Sequence, residues 1–328
     1  MDLKEFDNHP DGCSGVTMFG NQYCLNGDEG IRKFFDQVNN AKSLHELPNP
    51  LFPLPQFDDK IAAVSGKLYH YTTADALLNI IKESKEKDSF DLHLSRIDYT
   101  NDTSEGGKIF SMVLKEFKDI IGDNELIYNF ILPYFTDTQV TNREAFVCSF
   151  STDKDSLPLW QGYANKGVGY NLAFDSKLLH TNGEVNNFFL VPVIYDCKLM
   201  CEITSCVLHK IYEFEFAKSF KNDSEEKEFE EMILEFCCLA QLAFKHPSFS
   251  YEHEGRIVIL NSKSVEYKQQ NGVIKPYTKL SLPKKLFTEI TIGPLIEAEI
   301  AQLTIKNALA SHGFECKVDI SQAPVRFL

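Results

Sequence analysis

From Gly66 onward, apolar positions recur in short blocks, some alternating and some at helical spacing. Leu68–Tyr71 predicts a strand. Thr73 follows as a helix N-cap, and Ala76, Leu77, Ile80 and Ile81 then line one helical face. Leu92–Leu94 predicts a short strand. The polar turn Asn101-Asp102-Thr103-Ser104-Glu105-Gly106-Gly107 leads into helical stretches at Ile109–Ile121 and 125–136. Ala145–Ser151 and Val168–Phe174 read as strands, and the long apolar run Phe188–Tyr195 reads as a buried one. Residues 197–220 and 224–246 predict helices. The second opens on the acidic run Glu225–Glu231, which suits a solvated N-terminal turn. Strands follow at Arg256–Leu260, 264–268, 273–281 and 288–292, then an amphipathic helix over 296–312 and a last strand over 314–320. Helices cluster between scattered strands without strict alternation, which predicts an α+β fold and not a doubly wound sheet.

Before Gly66 the pattern fades. Gly12, Gly15, Gly20, Gly27 and Gly30 punctuate the segment, with one short helix near Ile31–Asn40. Pro48, Pro50, Pro53 and Pro55 then form a linker or a strap. Residues 1–65 read as an extension, and 66–328 as one domain. The extension is either a partly ordered tail or a segment that covers a cleft, recruits a partner or completes a dimer.

Composition narrows the class. The 328 residues include 26 Phe and 13 Tyr, far more burial capacity than a disordered chain carries. The 33 Lys and Arg against 47 Asp and Glu give a net charge of −14. That balance argues against broad nucleic-acid binding, which needs cations along a phosphate backbone, but it leaves room for a local basic cleft. No apolar run reaches the roughly 18 residues of a membrane span. The polar start Met1-Asp2-Leu3-Lys4-Glu5 is unlike a secretory signal. The nine irregularly spaced cysteines read as reduced thiols. The expected location is the cytoplasm, or a target cell's cytoplasm after delivery by another route.

Several chemistries lack support. No Gly-x-Gly-x-x-Gly opens a helix, and no phosphate loop ends in Gly-Lys-Ser/Thr. Cys197 and Cys201 share one helical face while Cys206 and His209 share another, so no zinc site is expected and these read as buried thiols. Cys237-Cys238 reads as core. Three segments stand out instead. In Leu68-Tyr69-His70-Tyr71-Thr72-Thr73, an imidazole sits near the end of a strand, as a structural histidine or a site. In the second, Ser149 and Ser151 share one side of a strand, and Trp160, Tyr163 and Tyr170 follow. Those aromatics suit either a wall for a flat heteroaromatic ligand or an ordinary mini-core. In Tyr251-Glu252-His253-Glu254-Gly255-Arg256, two carboxylates enter an apolar strand pointing the same way, while Glu254 and Arg256 form either an ion pair or part of a site.

These segments together resemble a mostly bacterial family known as domain of unknown function 2971, associated with the ADP-ribosyltransferase superfamily. The resemblance rests on Tyr69-His70-Tyr71, on Asn101-Asp102-x-x-Glu105-Gly106, and on Ser149-Phe150-Ser151 followed by Trp160 and Tyr163. It also takes in Tyr251, Glu254 and Arg256, and the closing Ser321, Pro324 and Arg326. It covers about residues 66–328. His70-Tyr71-Thr72 is similar to the His-Gly-Thr start of diphtheria-toxin-type enzymes, with Tyr71 in place of Gly. Ser149-Phe150-Ser151 and Glu252-His253-Glu254 are similar to the Ser-Thr-Ser and Glu-x-Glu of the other branch.

The resemblance implies split mixed and antiparallel sheets flanked by helices, and transfer of ADP-ribose from NAD⁺, with no metal. In that reading Glu254 holds the ribose 2′-hydroxyl and stabilises the oxocarbenium-like transition state. Glu252 orients or deprotonates the acceptor, and His70 bonds the adenosine-side ribose. Tyr163 and Tyr170 wall the nicotinamide, Arg96 or Arg256 pairs with the pyrophosphate, and Tyr71, Thr72, Ser149, Ser151 and Trp160 complete the NAD⁺ site. The implied setting is a toxin, an effector or an antiphage protein. A protein acceptor fits the charge better than nucleic acid, and an inhibitory antitoxin partner is expected. Two alternatives stay open: an NAD⁺ hydrolase, and an inactive module that binds a nucleotide or a partner.

Overall fold

A computed structural model describes residues 15–18, 21–24, 36, 40, 66–84, 87–100, 144–179, 182, 188–204, 227, 242–270 and 272–325. Several expectations lie outside the described residues: the Pro-rich run at 48–55, the turn Asn101–Gly107, the helices at Ile109–Ile121 and 125–136, residues 205–220, most of 224–246 with Glu225–Glu231, Cys206, His209, Cys237, Cys238 and Arg326. Within the expected helix near Ile31–Asn40, Asp36 and Asn40 are helical and the rest is outside the description.

The chain forms two compact units. One comprises Met1–Asp59, Asp102–Arg143 and Val193–Pro247. There, strands β1 (Gly15–Met18) and β2 (Asn21–Cys24) pair antiparallel, residues 197–204 are helical, and Ile194 bridges Phe244. The other unit comprises Lys60–Asn101, Glu144–Pro192 and Ser248–Leu328, and it holds one large mixed sheet.

Its elements follow the hydrophobic pattern closely. Strand β3 (Lys67–Thr72) leads into helix α1 (Ala74–Glu83), where the Thr73 hydroxyl accepts from the Ala76 N–H at 3.3 Å and Leu77 and Ile81 are buried. Strand β4 runs over Ser89–Arg96, longer than expected, because it pairs with β10 (Val273–Pro283) from Ser89↔Pro283 to Ser95↔Tyr277. Pairing with Ser281 and Lys279 of β10 holds the polar Asp91 and His93 within β4. Strand β5 spans Ala145–Ser151 as predicted. A short helix, α2 (Leu157–Tyr163), follows where no element was expected, with Pro in its first turn. Strand β6 is Tyr170–Asp175, and β7 is Phe189–Pro192. β7 stops well short of the predicted Tyr195 because Pro192 has no N–H for a ladder. Strands β8 (Glu254–Leu260), β9 (Glu266–Gln270) and β11 (Phe287–Ile292), helix α3 (Ala298–Ser311) and strand β12 (Lys317–Ile320) complete the unit.

The sheet order is β12-β11-β6-β3-β5-β4-β10-β9, with β8 and then β7 added along the other edge of β5. Among the described strands of this sheet only β11 and β12 pair in parallel, joined through α3, as a parallel crossover requires. The fold is α+β. β5 is its pivot. Its β8 edge is paired from Ala145↔Leu260 to Ser151↔Glu254. Its other edge is shared: β3 meets it at Tyr69↔Ser151, while β4 meets it at Ser95↔Val147 and Arg96↔Phe146. Between those contacts the sheet forks, with Cys148 and Ser149 at the gap.

The two faces differ. One buries Leu68, Phe90, Leu92, Leu94, Phe150, Leu172, Phe174, Ile257 and Leu282 under Ile305 and Leu309 of α3, with Phe174 stacked on Phe287 at 5.5 Å. The other carries a smaller cluster of Tyr69, Tyr71 and Ala173 with Leu159, Trp160 and Ala164 from α2 and its C-terminus. Gly169 allows this second layer to close, since a Cβ there would strike the carbonyl oxygens of Thr72 and Ala164.

Candidate functional site

Tyr69, Ser151 and Glu254 form one row across β3, β5 and β8. Directly opposed residues of antiparallel strands share a face, so this row lies on the Tyr69–Tyr71 side of the sheet. Alternation adds Ser149 and Arg256, which pair with each other. Arg256 is 1% exposed and Glu254 is 5% exposed. The Arg256 Nε–H donates to Glu254 Oε1 at 2.7 Å and an Nη2–H donates to Oε2 at 3.1 Å. This is the ion pair the alternation allowed. The fork geometry keeps Glu254 an acceptor on both oxygens.

Glu252 departs from expectation. It does not enter the strand beside Glu254. It ends the 3₁₀ turn Pro247–Glu252, and His253 then takes φ 42°, in the left-handed region, which redirects the chain into β8. Glu252 is buried and accepts a short hydrogen bond from the Tyr163 hydroxyl of α2. Beside it, His253 Nδ1 lies 2.9 Å from Asp153 Oδ2, and the Ser151 hydroxyl accepts from the Asp153 N–H at 3.0 Å. Tyr251 is exposed.

His70 falls on the other face. Its β6 neighbour is Leu172, a residue of the main core, and its ring meets Phe150 at 5.6 Å. Its Nδ1 is 2.8 Å from the Ser149 carbonyl oxygen at the fork. A carbonyl only accepts, so Nδ1 carries the proton and Nε2 keeps the lone pair. Cys148 Sγ lies 3.7 Å from the same nitrogen. Nδ1 is already a donor and burial pushes the thiol up to about 12, so the pair is not an activated Cys–His nucleophile. Burial also holds His70 below the ordinary imidazole value, partly offset by the Ser149 carbonyl. Thr72 and Tyr170 pair on this same face. Tyr163, packed against the α2 cluster, and Tyr170, packed against the main core, therefore do not make two walls of one slot.

The aromatic pair of the Trp160 segment is a brace. Trp160 is fully buried, meets Tyr71 edge-on at 4.9 Å, and donates from Nε1 to Asp155 Oδ1 at 2.6 Å. The Tyr71 hydroxyl donates to the Asp153 carbonyl at 2.8 Å and accepts from the Ser156 N–H at 2.9 Å, and burial pushes its pKa up. Asp155 also accepts from the Ser321 hydroxyl and the Gln322 N–H, each at 2.6 Å. Sequence reasoning missed Asp155. The signal was present in Asp155-Ser156-Leu157-Pro158, an N-cap candidate followed by Pro in a first helical turn.

Arg96 lies at the far end of β5. It pairs with Phe146, whereas Glu254 pairs with Ser151, a separation of about 17 Å along the strand. Its Nε and Nη2 both donate to Asp98 at 2.7 Å, and its guanidinium sits 5.2 Å from the centre of the Tyr99 ring. Arg96 and Arg256 thus do not converge on one anion, and each already faces a carboxylate. Among the described residues no group of His, Cys, Asp and Glu is placed to hold a metal ion, and no helix is long and apolar enough to cross a membrane.

Residues 159–257 match the model of a family described as Protein of unknown function (DUF2971). The matched span runs from α2 through β6 and β7 into β8, so it holds Trp160, Tyr163, Glu252, Glu254 and Arg256. On that span it supports the family resemblance read from the sequence. No curated protein and no solved structure matches the chain.

Proposed function

We propose that this chain transfers ADP-ribose from NAD⁺ to a macromolecular acceptor, with Glu254 and Glu252 as its working carboxylates. The observation that carries the reading is the row Tyr69–Ser151–Glu254, in which the three motif-bearing strands are neighbours. In the reaction the C–N bond between ribose and nicotinamide breaks, and nicotinamide leaves neutral with the bonding pair. The ribose carbon becomes oxocarbenium-like and then bonds an acceptor oxygen, nitrogen or sulfur, whose proton must be removed. An ionised Glu254, held by Arg256, supplies negative charge beside that cation and an acceptor for the ribose 2′-hydroxyl. Glu252, hydrogen-bonded to Tyr163, takes the acceptor's proton. His70, on the opposite face, serves as a positioning residue that holds β3 against the Ser149 carbonyl.

Labelled NAD⁺ incubated with lysate tests this. Wild type labels a macromolecule and releases nicotinamide, and Glu254→Gln loses about 100-fold or more of both while its melting curve shows a folded protein. Equal labelling by wild type and Glu254→Gln sinks the proposal. Free ADP-ribose without macromolecular label makes water the acceptor. A second reading, a nucleotide-binding module without turnover, is favoured by one observation: both Glu254 oxygens are already taken by Arg256. Calorimetry would then show NAD⁺ binding with no nicotinamide release.

A further inference from the structure

Strand β9 closes one side of the large sheet. It pairs with β10, and among the described strands none pairs with its other edge. The ladder starts at Gln270↔Val273, across a two-residue Asn-Gly connection in which Gly272 takes φ 79°. Such a tight hairpin closes on a pair that exchanges both backbone hydrogen bonds, and the exchange recurs at every second residue. Lys268 and Glu266 therefore direct N–H and C=O into β10, while Tyr267 and Gln269 direct theirs to the open edge. Pro276 agrees with this parity, because it stands opposite Tyr267 and has no N–H to exchange.

The side chains of the edge are sorted by face. Tyr267 shares a face with Pro276 and, by alternation along β10, with Leu280 and Leu282 of the main core. Core packing stops short of the hairpin: Tyr267 is 70% exposed, and Ile274 on the same face is 68% exposed. The other face carries Glu266 and Lys268, opposite Tyr277 and Lys275. Charge on an edge strand resists indiscriminate pairing. Here the two charges have opposite signs and stand two residues apart, which favours one partner over the rest.

An antiparallel copy of β9 can meet this edge only with outward-directed residues facing each other. A two-fold centred on Tyr267 faces Tyr267 with Tyr267 and Gln269 with Val265, and it sets Glu266 opposite Lys268 twice. Centred one residue later, it sets Lys268 against Lys268; one residue earlier, Glu266 against Glu266. Charge thus selects the Tyr267 register. There each Glu266–Lys268 pair falls between ladder bonds, where opposed side chains approach most closely. Glu266 already accepts from the Tyr277 hydroxyl at 2.6 Å and lies 3.2 Å from Lys279, and a carboxylate has lone pairs left for a further cation.

We propose that β9 is the two-fold interface of a homodimer, in which two copies of this chain join their sheets edge to edge with Tyr267 at the axis. A second copy is the occupant because the edge complements itself: the pattern Glu266-x-Lys268, run in reverse, is its own electrostatic match. The inference is independent of the transfer reading.

Sedimentation velocity of the full chain over a concentration series tests it. The contact is small, so wild type should dimerise with a Kd of about 1–100 µM. Tyr267→Pro removes an outward N–H and leaves the bonds to β10 in place, and it should weaken the dimer about tenfold or more. Lys268→Glu and Glu266→Lys, each alone, put like charges opposite each other and should weaken it on the same scale. An equimolar mixture of those two variants should dimerise again, because every opposed pair is then one acid and one base. Melting curves establish that each variant is folded. The proposal is overturned if wild type stays monomeric up to about 500 µM, if folded Tyr267→Pro dimerises as tightly as wild type, or if the mixture is as monomeric as its components.

Discussion

Arg256 directs two of its N–H groups to Glu254 in a place with almost no water contact. Removing the guanidinium leaves a buried carboxylate without its cation, a change that typically costs about 3–5 kcal/mol. Arg256→Met is therefore expected to lose stability on that scale in urea denaturation, and Glu254→Gln/Arg256→Met to recover part of it. If the double variant is as unstable as the sum of the single ones, the two side chains are not coupled as described. His70 makes a second prediction. Its folded pKa lies below the unfolded value of 6.5, so below that pH the unfolded chain binds more protons than the folded one. Stability is thus intact above 6.5 and declines as pH falls through and below it. His93, shifted the same way, adds to the decline. His70→Asn keeps an N–H for the Ser149 carbonyl but cannot titrate. Urea melts at about pH 7.5 and about pH 5.5 should show a smaller drop for His70→Asn than for wild type. Equal drops would remove His70 from the pH response.

The elements around Asp155 act as one fastener. Its carboxylate joins the Trp160 indole of α2 to Ser321 and Gln322 beyond β12. Asp155→Ala strands three donors and should cost about 2–4 kcal/mol. Ser321→Ala should cost much less on the Asp155→Ala background than on wild type, a non-additivity that a double-mutant cycle measures. Additive losses would mean the contacts are independent. The brace also explains how well the sequence could be read. β5 spans Ala145–Ser151 as the pattern predicts, because Phe146, Val147 and Phe150 are strand formers and every residue but Ser149 is buried. β4 outgrows Leu92–Leu94 because its polar ends are fixed by β10, nearly two hundred residues away in sequence, a pairing no local window contains. Phe188–Tyr195 reads as one apolar run, yet Pro192 ends the ladder inside it. Site residues follow the same division. Motif order identified three strands that prove to be neighbours. The face each side chain takes depends on register, and register puts His70 and Tyr170 on the face opposite Glu254. The positive φ of His253 is likewise invisible in Glu-His-Glu, so Glu252 was expected on the strand and stands instead at the end of a turn.

Across the whole chain, the net charge of −14 constrains any partner that is itself a polyanion. Binding a nucleic-acid groove takes about 6–10 phosphate contacts, each met by a cation. The described arginines, Arg96 and Arg256, face Asp98 and Glu254. Lys67 and Lys154 face Glu289, and Lys279 faces Glu266. These cations are spent on carboxylates of the same chain and are not lined up to follow a phosphate backbone. Repulsion from an acidic surface grows with each phosphate of a polyanion. Random-sequence duplex DNA should accordingly show no mobility shift with this protein at about 0.15 M salt. In the labelling assay, the NAD⁺-derived label should be removed by protease and resist nuclease. Nuclease-sensitive label, or a shift of the duplex at that salt, would mean that local cations outside this pattern outweigh the net charge and that the acceptor is a nucleic acid.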